Sequence, residues 1–147
     1  MEPLIQRLNE AGVRYLLIGG QAMRLEGMPR FSLDWDLYVP AQDYTNLELI
    51  NRTLEEELDI PLLPLGPQGE NFIQTYQTRF GILQFHLGGI GLPPFDEAEK
   101  RKVVRYLEDG TPVPCLSGPD LLMAKQAANR PQDQSDILFL KEKYRLP

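Results

Sequence analysis

The sequence predicts an α/β (α+β) fold, a mixed and partly antiparallel sheet flanked by helices. Three observations lead there. The apolar run Tyr15-Leu16-Leu17-Ile18 is followed by Gly19-Gly20 and then by helix-forming residues. From Phe31 to Val39 apolar and polar residues alternate, the period of a half-buried strand. Tyr44, Leu47, Ile50, Leu54 and Leu58 recur at helical spacing, which marks an amphipathic helix packed on a sheet. The 147 residues suffice for one domain with a core and are too few for two.

The elements follow in order. Pro3 to Ala11 is a short helix with Leu4, Ile5 and Leu8 on one face and Gly12 as its stop. Val13 to Ile18 is an apolar, central strand. Gly20 to Glu26 is a helix ended by Gly27 and Pro29, and Phe31 to Val39 is the next strand, closed by Pro40. In that strand Asp34, Asp36 and Tyr38 share one face; Leu33, Trp35, Leu37 and Val39 face the core. The amphipathic helix runs from Asp43 to Leu58. Pro61 to Gly69 is a loop, and Phe72–Gln77 with Phe80–Leu87 form a strand pair turning near Thr78. After a second glycine- and proline-rich loop, Asp96 to Leu107 reads as a helix opened by the capping pair Asp96 and Glu99. Its Lys100-Arg101-Lys102 run is a solvated face. Val113 to Leu116 is a strand, Ser117 caps a helix from Asp120 to Asn129, and Pro131 opens the last helix.

Composition excludes several classes. A net charge of −6 argues against broad binding to duplex nucleic acid. No apolar run approaches the roughly 20 residues that span a bilayer, and no secretory signal is visible, so the cytoplasm is the expected location and no membrane partner is expected. Cys115 is the single cysteine, which rules out an internal disulfide.

Chemistry concentrates between Gly19 and Val39. Two carboxylates two residues apart on a strand repel unless a cation sits between them, and a hard divalent ion such as Mg²⁺ (or Mn²⁺) is the usual resident. Asp34 and Asp36 are therefore the candidate metal ligands. Gly19 and Gly20 place free N–H groups of a helix N-terminus where a phosphate can approach, and Arg24 and Arg30 add positive charge.

This run resembles the signature of the minimal nucleotidyltransferases of the DNA polymerase β superfamily, with an apolar strand, Gly-Gly, a short helix and Asp-x-Asp. Gly19, Gly20, Ala22, Gly27, Arg30, Ser32, Asp34, Asp36 and Leu37 match the variant found in abortive-infection toxins of type IV toxin–antitoxin systems. A second segment, Lys125 to Ile137, resembles the Lys-x-x-Ala-x-Arg-x-x-Asp-x-x-Asp-Ile stretch of the same branch. The resemblance implies a nucleotidyltransferase core over residues 1–147, with C-terminal helices from about 117 beside the active edge. It implies transfer of a nucleoside monophosphate from a nucleoside triphosphate to a hydroxyl of a protein, a tRNA or a small molecule. Asp34 and Asp36 would hold the metal, with Lys125 facing the triphosphate. Gly19, Gly20, Arg24, Arg30, Ser32 and Arg130 would bind substrate, and a cognate antitoxin or toxin is the implied partner. Lys125 and Arg130 also have a simpler role available, ion pairs with Asp133 and Asp136 that lock two helices together.

One departure stands out. Such sites usually carry a third carboxylate on a neighbouring strand, but Gly81 to Leu87 offers Gln84 and His86 on the face where it belongs. Gln84, a candidate substrate contact, ligates through its amide oxygen and takes up no proton; His86, the candidate catalytic base or ligand in place of the acid, can take one up near neutral pH. The alternative is thus a catalytically degenerate member of the fold, acting as a nucleotide-binding or toxin–antitoxin interaction module.

Overall fold

The computed structural model describes residues 1–147 and is organised around one six-stranded sheet. Helices α1 (Glu2–Ala11), α2 (Gly19–Leu25) and α3 (Tyr44–Thr53) lie in the first third of the chain, with strands β1 (Leu16–Ile18) and β2 (Asp34–Tyr38) between them. Strands β3 (Ile73–Thr78) and β4 (Gly81–His86) form a hairpin, and α4 (Phe95–Lys100) leads into β5 (Val103–Tyr106) and β6 (Pro112–Cys115). The chain ends with α5 (Gly118–Ala128), a 3₁₀ turn at Pro131–Asp133 and α6 (Gln134–Tyr144). No helix is long and apolar enough to cross a membrane.

The strand order is β3-β4-β2-β1-β6-β5. β4 runs parallel to β2 and β6 parallel to β1, whereas the β1–β2, β3–β4 and β5–β6 pairs are antiparallel. The sheet is mixed, as its sequence pattern predicts. β1 is central and all three of its residues are buried, which explains its unbroken apolar sequence.

Alternation divides the sheet into two faces. Leu37, Leu83 and Phe85 point to the core and are fully buried. Tyr76 joins them from β3, edge-on to Phe85 with ring centroids 6.0 Å apart. The opposite face carries Asp36 beside Gln84 and Tyr38 beside His86, by register. Tyr38 itself is covered: its ring meets Phe95 of α4 edge-on at 5.2 Å and its hydroxyl donates to the Pro93 carbonyl at 2.8 Å. So α4 closes this face at one end and leaves it open over the aspartates.

Several expectations need correction. The helix expected from Asp96 to Leu107 stops at Lys100, and Val103–Tyr106 is a strand paired with β6. Val-Val-Arg-Tyr favours a pleated surface, and an adjacent strand is there to satisfy its backbone. Asp96 and Glu99 do not cap α4, whose N-cap is Pro94; both accept hydrogen bonds from Arg14, which also pairs with Asp43. Arg101 is no free surface cation, since its Nε donates to the buried Asp120 at 2.9 Å. Strand β2 begins at Asp34, so Phe31 and Leu33 are exposed and Leu33 stays out of the core. Helix α3 stops at Thr53, and Tyr44 in its first turn faces solvent while Leu54 and Leu58 remain buried past its end. α6 begins at Gln134, because the residues after Pro131 form the 3₁₀ turn.

Candidate active site

A cleft of about 500 Å³ opens over the β1–β2–β4 face and is walled by α5 and the start of α6. Its floor includes Gly19, Gly20, Asp34, Asp36, Gln84 and His86. Asp36 is register partner to Ile18 on β1 and to Gln84 on β4, so β1 ends, and its glycines begin, beside that carboxylate. Gly19 has φ of +73°, a left-handed conformation that glycine adopts without strain. A β-carbon there would overlap Asp36 Oδ2, and one at Gly20 would overlap Ser32 Oγ. Both glycines are thus required by close approach of the backbone to side chains of the Asp-x-Asp strand and its lead-in.

Asp34 and Asp36 present their carboxylates differently. Asp34 engages the protein through its backbone oxygen, which accepts from Ser32 Oγ at 3.4 Å, and its carboxylate has no protein partner. Asp36 Oδ1 lies 2.9 Å from His86 Nε2, leaving Oδ2 toward Gly19. Gln84 Nε2 donates to Thr75 Oγ1 at 3.1 Å.

The far wall is a five-charge cluster. Asp136 Oδ2 accepts from Arg30 Nη1 at 2.5 Å and pairs with Lys125 Nζ at 2.8 Å. Lys125 is also 3.6 Å from Asp133, and Arg130 holds Asp133 in a two-pronged contact at 2.8 and 2.9 Å. Asp133 and Asp136 are buried. The Arg130 guanidinium, its main partner, holds the Asp133 carboxyl below its ordinary value. Arg130 and Asp133 make the ion pair that their spacing allows, and Lys125 joins it while still lining the cleft.

Two of the expected substrate contacts fall elsewhere. Arg24 points out on the other side of α2, where its Nη1 donates to Gln21 Oε1 at 2.6 Å beside Leu25, Gly27 and Tyr106. It lines a separate cavity and not the cleft that holds the aspartates. Ser32 packs over Gly20 without lining the cleft. Conversely, Phe72, Ile73 and Ile90 line it, contacts that no local motif announces.

The donor set bears on a metal. The cleft holds four carboxylates (Asp34, Asp36, Asp133, Asp136) and three permanent cations (Arg30, Lys125, Arg130). The cations engage Asp133 and Asp136, so Asp34 and Asp36 are left without cationic compensation. Two carboxylates with hard oxygen donors and space for water or phosphate suit one Mg²⁺ or Mn²⁺. No three His, Cys, Asp or Glu side chains converge as a ready-made metal cage.

No protein-family model matches the chain, and no functionally curated protein matches it. Among solved structures it resembles one from Thermotoga maritima described as a "putative nucleotidyltransferase", with a TM-score of 0.53 and 15% identity over 99% of this chain and 90% of that one. The fold is nucleotidyltransferase-like. At that identity the likeness establishes architecture alone, and it does not reach the toxin branch. Within the nucleotidyltransferase-like fold, the cleft is the place where the glycine turn, the paired aspartates and the basic wall meet.

Proposed function

We propose that this chain is a divalent-metal-dependent nucleotidyltransferase acting through the cleft over β1, β2 and β4. The carrying observation is the contact of Asp36 with the Gly19 turn, beside an Asp34 carboxylate that has no partner of its own. Asp34 and Asp36 would hold Mg²⁺ or Mn²⁺. Bound there, the metal would neutralise the triphosphate and stabilise charge developing at the α-phosphate. The N–H groups at the start of α2 orient phosphate oxygens, and Lys125, Arg30 and Arg130 supply positive potential from the opposite wall.

In the reaction the acceptor hydroxyl oxygen bonds to the α-phosphorus. The bond from that phosphorus to the bridging oxygen breaks, and pyrophosphate leaves. The hydroxyl proton goes to Nδ1 of His86, whose Nε2 donates to Asp36 Oδ1. Most of the acceleration comes from positioning and charge, with no covalent work by the protein. A cytoplasmic setting, with its supply of nucleoside triphosphates, fits this reading.

The absence of a third acid favours a second reading, a nucleotide-binding module without turnover. Calorimetric titration with each nucleoside triphosphate, with and without Mg²⁺, separates the two when pyrophosphate release is followed in parallel. Metal-dependent binding with release supports the enzyme, binding alone supports the module, and no binding sinks both. A toxin–antitoxin role rests only on the two sequence segments. It predicts growth arrest on expression, relieved by a cognate partner.

A further inference from the structure

The permanent cations of the cleft all lie on one side. Arg30, Lys125 and Arg130 come from the α2–β2 loop, α5 and the segment after it, and the β3–β4 side with its following loop contributes no lysine or arginine. A triphosphate held by those cations and by the start of α2 has its nucleoside branching from the α-phosphate. The other end of the cleft is left for it.

That end is apolar. Phe72, Ile73, Ile90 and Leu92 line it, and Ile90 is 75% exposed, Phe72 47% and Ile73 41%. Large apolar side chains left open inside a cleft mark a surface that a ligand covers. Their backbone is already held in place. The Leu87 amide donates to the Phe72 carbonyl at 2.7 Å, and the Leu92 amide donates to the Gly89 carbonyl at 3.2 Å, closing a turn around Ile90. Gly91, with φ of +78°, sits so close to α5 that a β-carbon there would overlap Ala127. A wall fixed in advance lowers the ordering cost of binding.

The interval also suits a nucleoside. Ile73 is the register partner of His86, and His86 Nε2 is 2.9 Å from Asp36 Oδ1, so one side chain separates the apolar end from the paired aspartates. A ribose bridges that interval between an α-phosphate at Asp36 and a base at Ile73. The polar side chains along the way are engaged, Gln84 Nε2 with Thr75 and His86 Nε2 with Asp36. The wall offers contact area more than hydrogen bonds, and contact area favours the larger ring.

We propose that Phe72, Ile73 and Ile90 hold the base of the nucleoside triphosphate by apolar contact, a purine in preference to a pyrimidine. The inference rests on the nucleotide site proposed above and names its base subsite and substrate class.

The test titrates the full chain, with Mg²⁺, against ATP, GTP, CTP, UTP and inorganic tripolyphosphate, which carries the phosphates without a base. ATP and GTP should bind more tightly than CTP and UTP. Phe72→Ala and Ile90→Ala should each weaken ATP binding about fivefold or more while tripolyphosphate affinity stays within about twofold. Both side chains are exposed enough for truncation to spare the core, and they lie on separate segments, so either variant decides if the other fails to fold. Variants that weaken ATP and tripolyphosphate alike would overturn the proposal, as would a pyrimidine preference or equal affinity for all four nucleotides. ATP binding that both variants leave unchanged keeps the nucleotide site and removes the base subsite. Binding of neither ATP nor tripolyphosphate removes the nucleotide reading and this inference with it.

Discussion

Gly19 follows Ile18, the register partner of Asp36, and a β-carbon on Gly19 would overlap the Asp36 carboxylate at Oδ2. Gly19→Ala meets two penalties, a positive φ and an overlap with the carboxylate. Strained backbone of this kind costs about 1–3 kcal/mol. Urea unfolding should show a loss in that range, and calorimetry should show nucleotide affinity falling with it. An alanine variant of unchanged stability and affinity would mean that the turn does not press on the carboxylate.

The metal prediction concerns charge. With two available carboxylates, metal titration in the presence of nucleotide should saturate near one equivalent. Asp34→Asn and Asp36→Asn should each abolish the Mg²⁺ dependence of nucleotide binding. Gln84 is the direct register partner of Asp36, so Gln84→Asp adds a carboxylate where a second ion needs one and should raise the stoichiometry or the turnover. Brisk transfer by the unmodified chain with two ions bound, unaffected by Gln84→Ala or His86→Ala, would refute this account of the site.

Asp136 ties Lys125 and Arg30 to one buried carboxylate. Removing one member of a buried ion cluster costs roughly 3–5 kcal/mol. Because Arg30 is about a third exposed, water screens it, and Asp136→Ala should fall near the lower end, at about 3 kcal/mol. The freed lysine and arginine should also bind phosphate with less order, so nucleotide affinity should drop even at temperatures where the variant is fully folded. A thermal melt and a titration on the same sample check both.

Acid stability should depend on Asp133 and Glu26. Burial pushes the Glu26 carboxyl up, but Lys143, Tyr144 and Arg105 outweigh it and hold it below its ordinary value. Arg130 does the same for Asp133. A carboxyl lowered on folding contributes stability that is complete above its unfolded value of about 4 and is lost as pH falls through the folded value. The urea midpoint should therefore change little on these groups' account from pH 7 to about 5 and fall below about 4. Asp133→Asn should flatten that acid limb. Tyr144 donates to Glu26 at 2.6 Å, and Tyr144→Phe should cost about 1.5–3 kcal/mol, the range for a hydrogen bond to a charged group.

How much of this was legible beforehand depends on how local the cause is. Asp34 and Asp36 lie on one face because a strand has a period of two, and Gly19-Gly20 sits at the end of an apolar run; both facts are written within twenty-odd consecutive residues. The missing third acid was equally plain, since Gln84 and His86 occupy the face where it belongs. Arg24 was misplaced because a helix only seven residues long gives too weak a periodicity to say which side meets the cleft. Strand β5 carries an apparent helix cap upstream of it, but pairing with β6 makes Val103–Tyr106 a strand, and Arg14, more than eighty residues away, takes up the Asp96 and Glu99 that suggest the cap.

The sequence by itself determined the class of fold, the glycine turn, the paired aspartates and the basic residues available to a phosphate. Those follow from backbone stereochemistry and short-range spacing. Only the tertiary structure decided that Arg30 joins Lys125 on the buried Asp136, that His86 meets Asp36, and that an uncharged edge strand borders the cleft. Each of these joins segments separated along the chain. Such contacts are selected by packing and by compensation of buried charge, which act on the folded molecule and leave no periodic trace in the sequence.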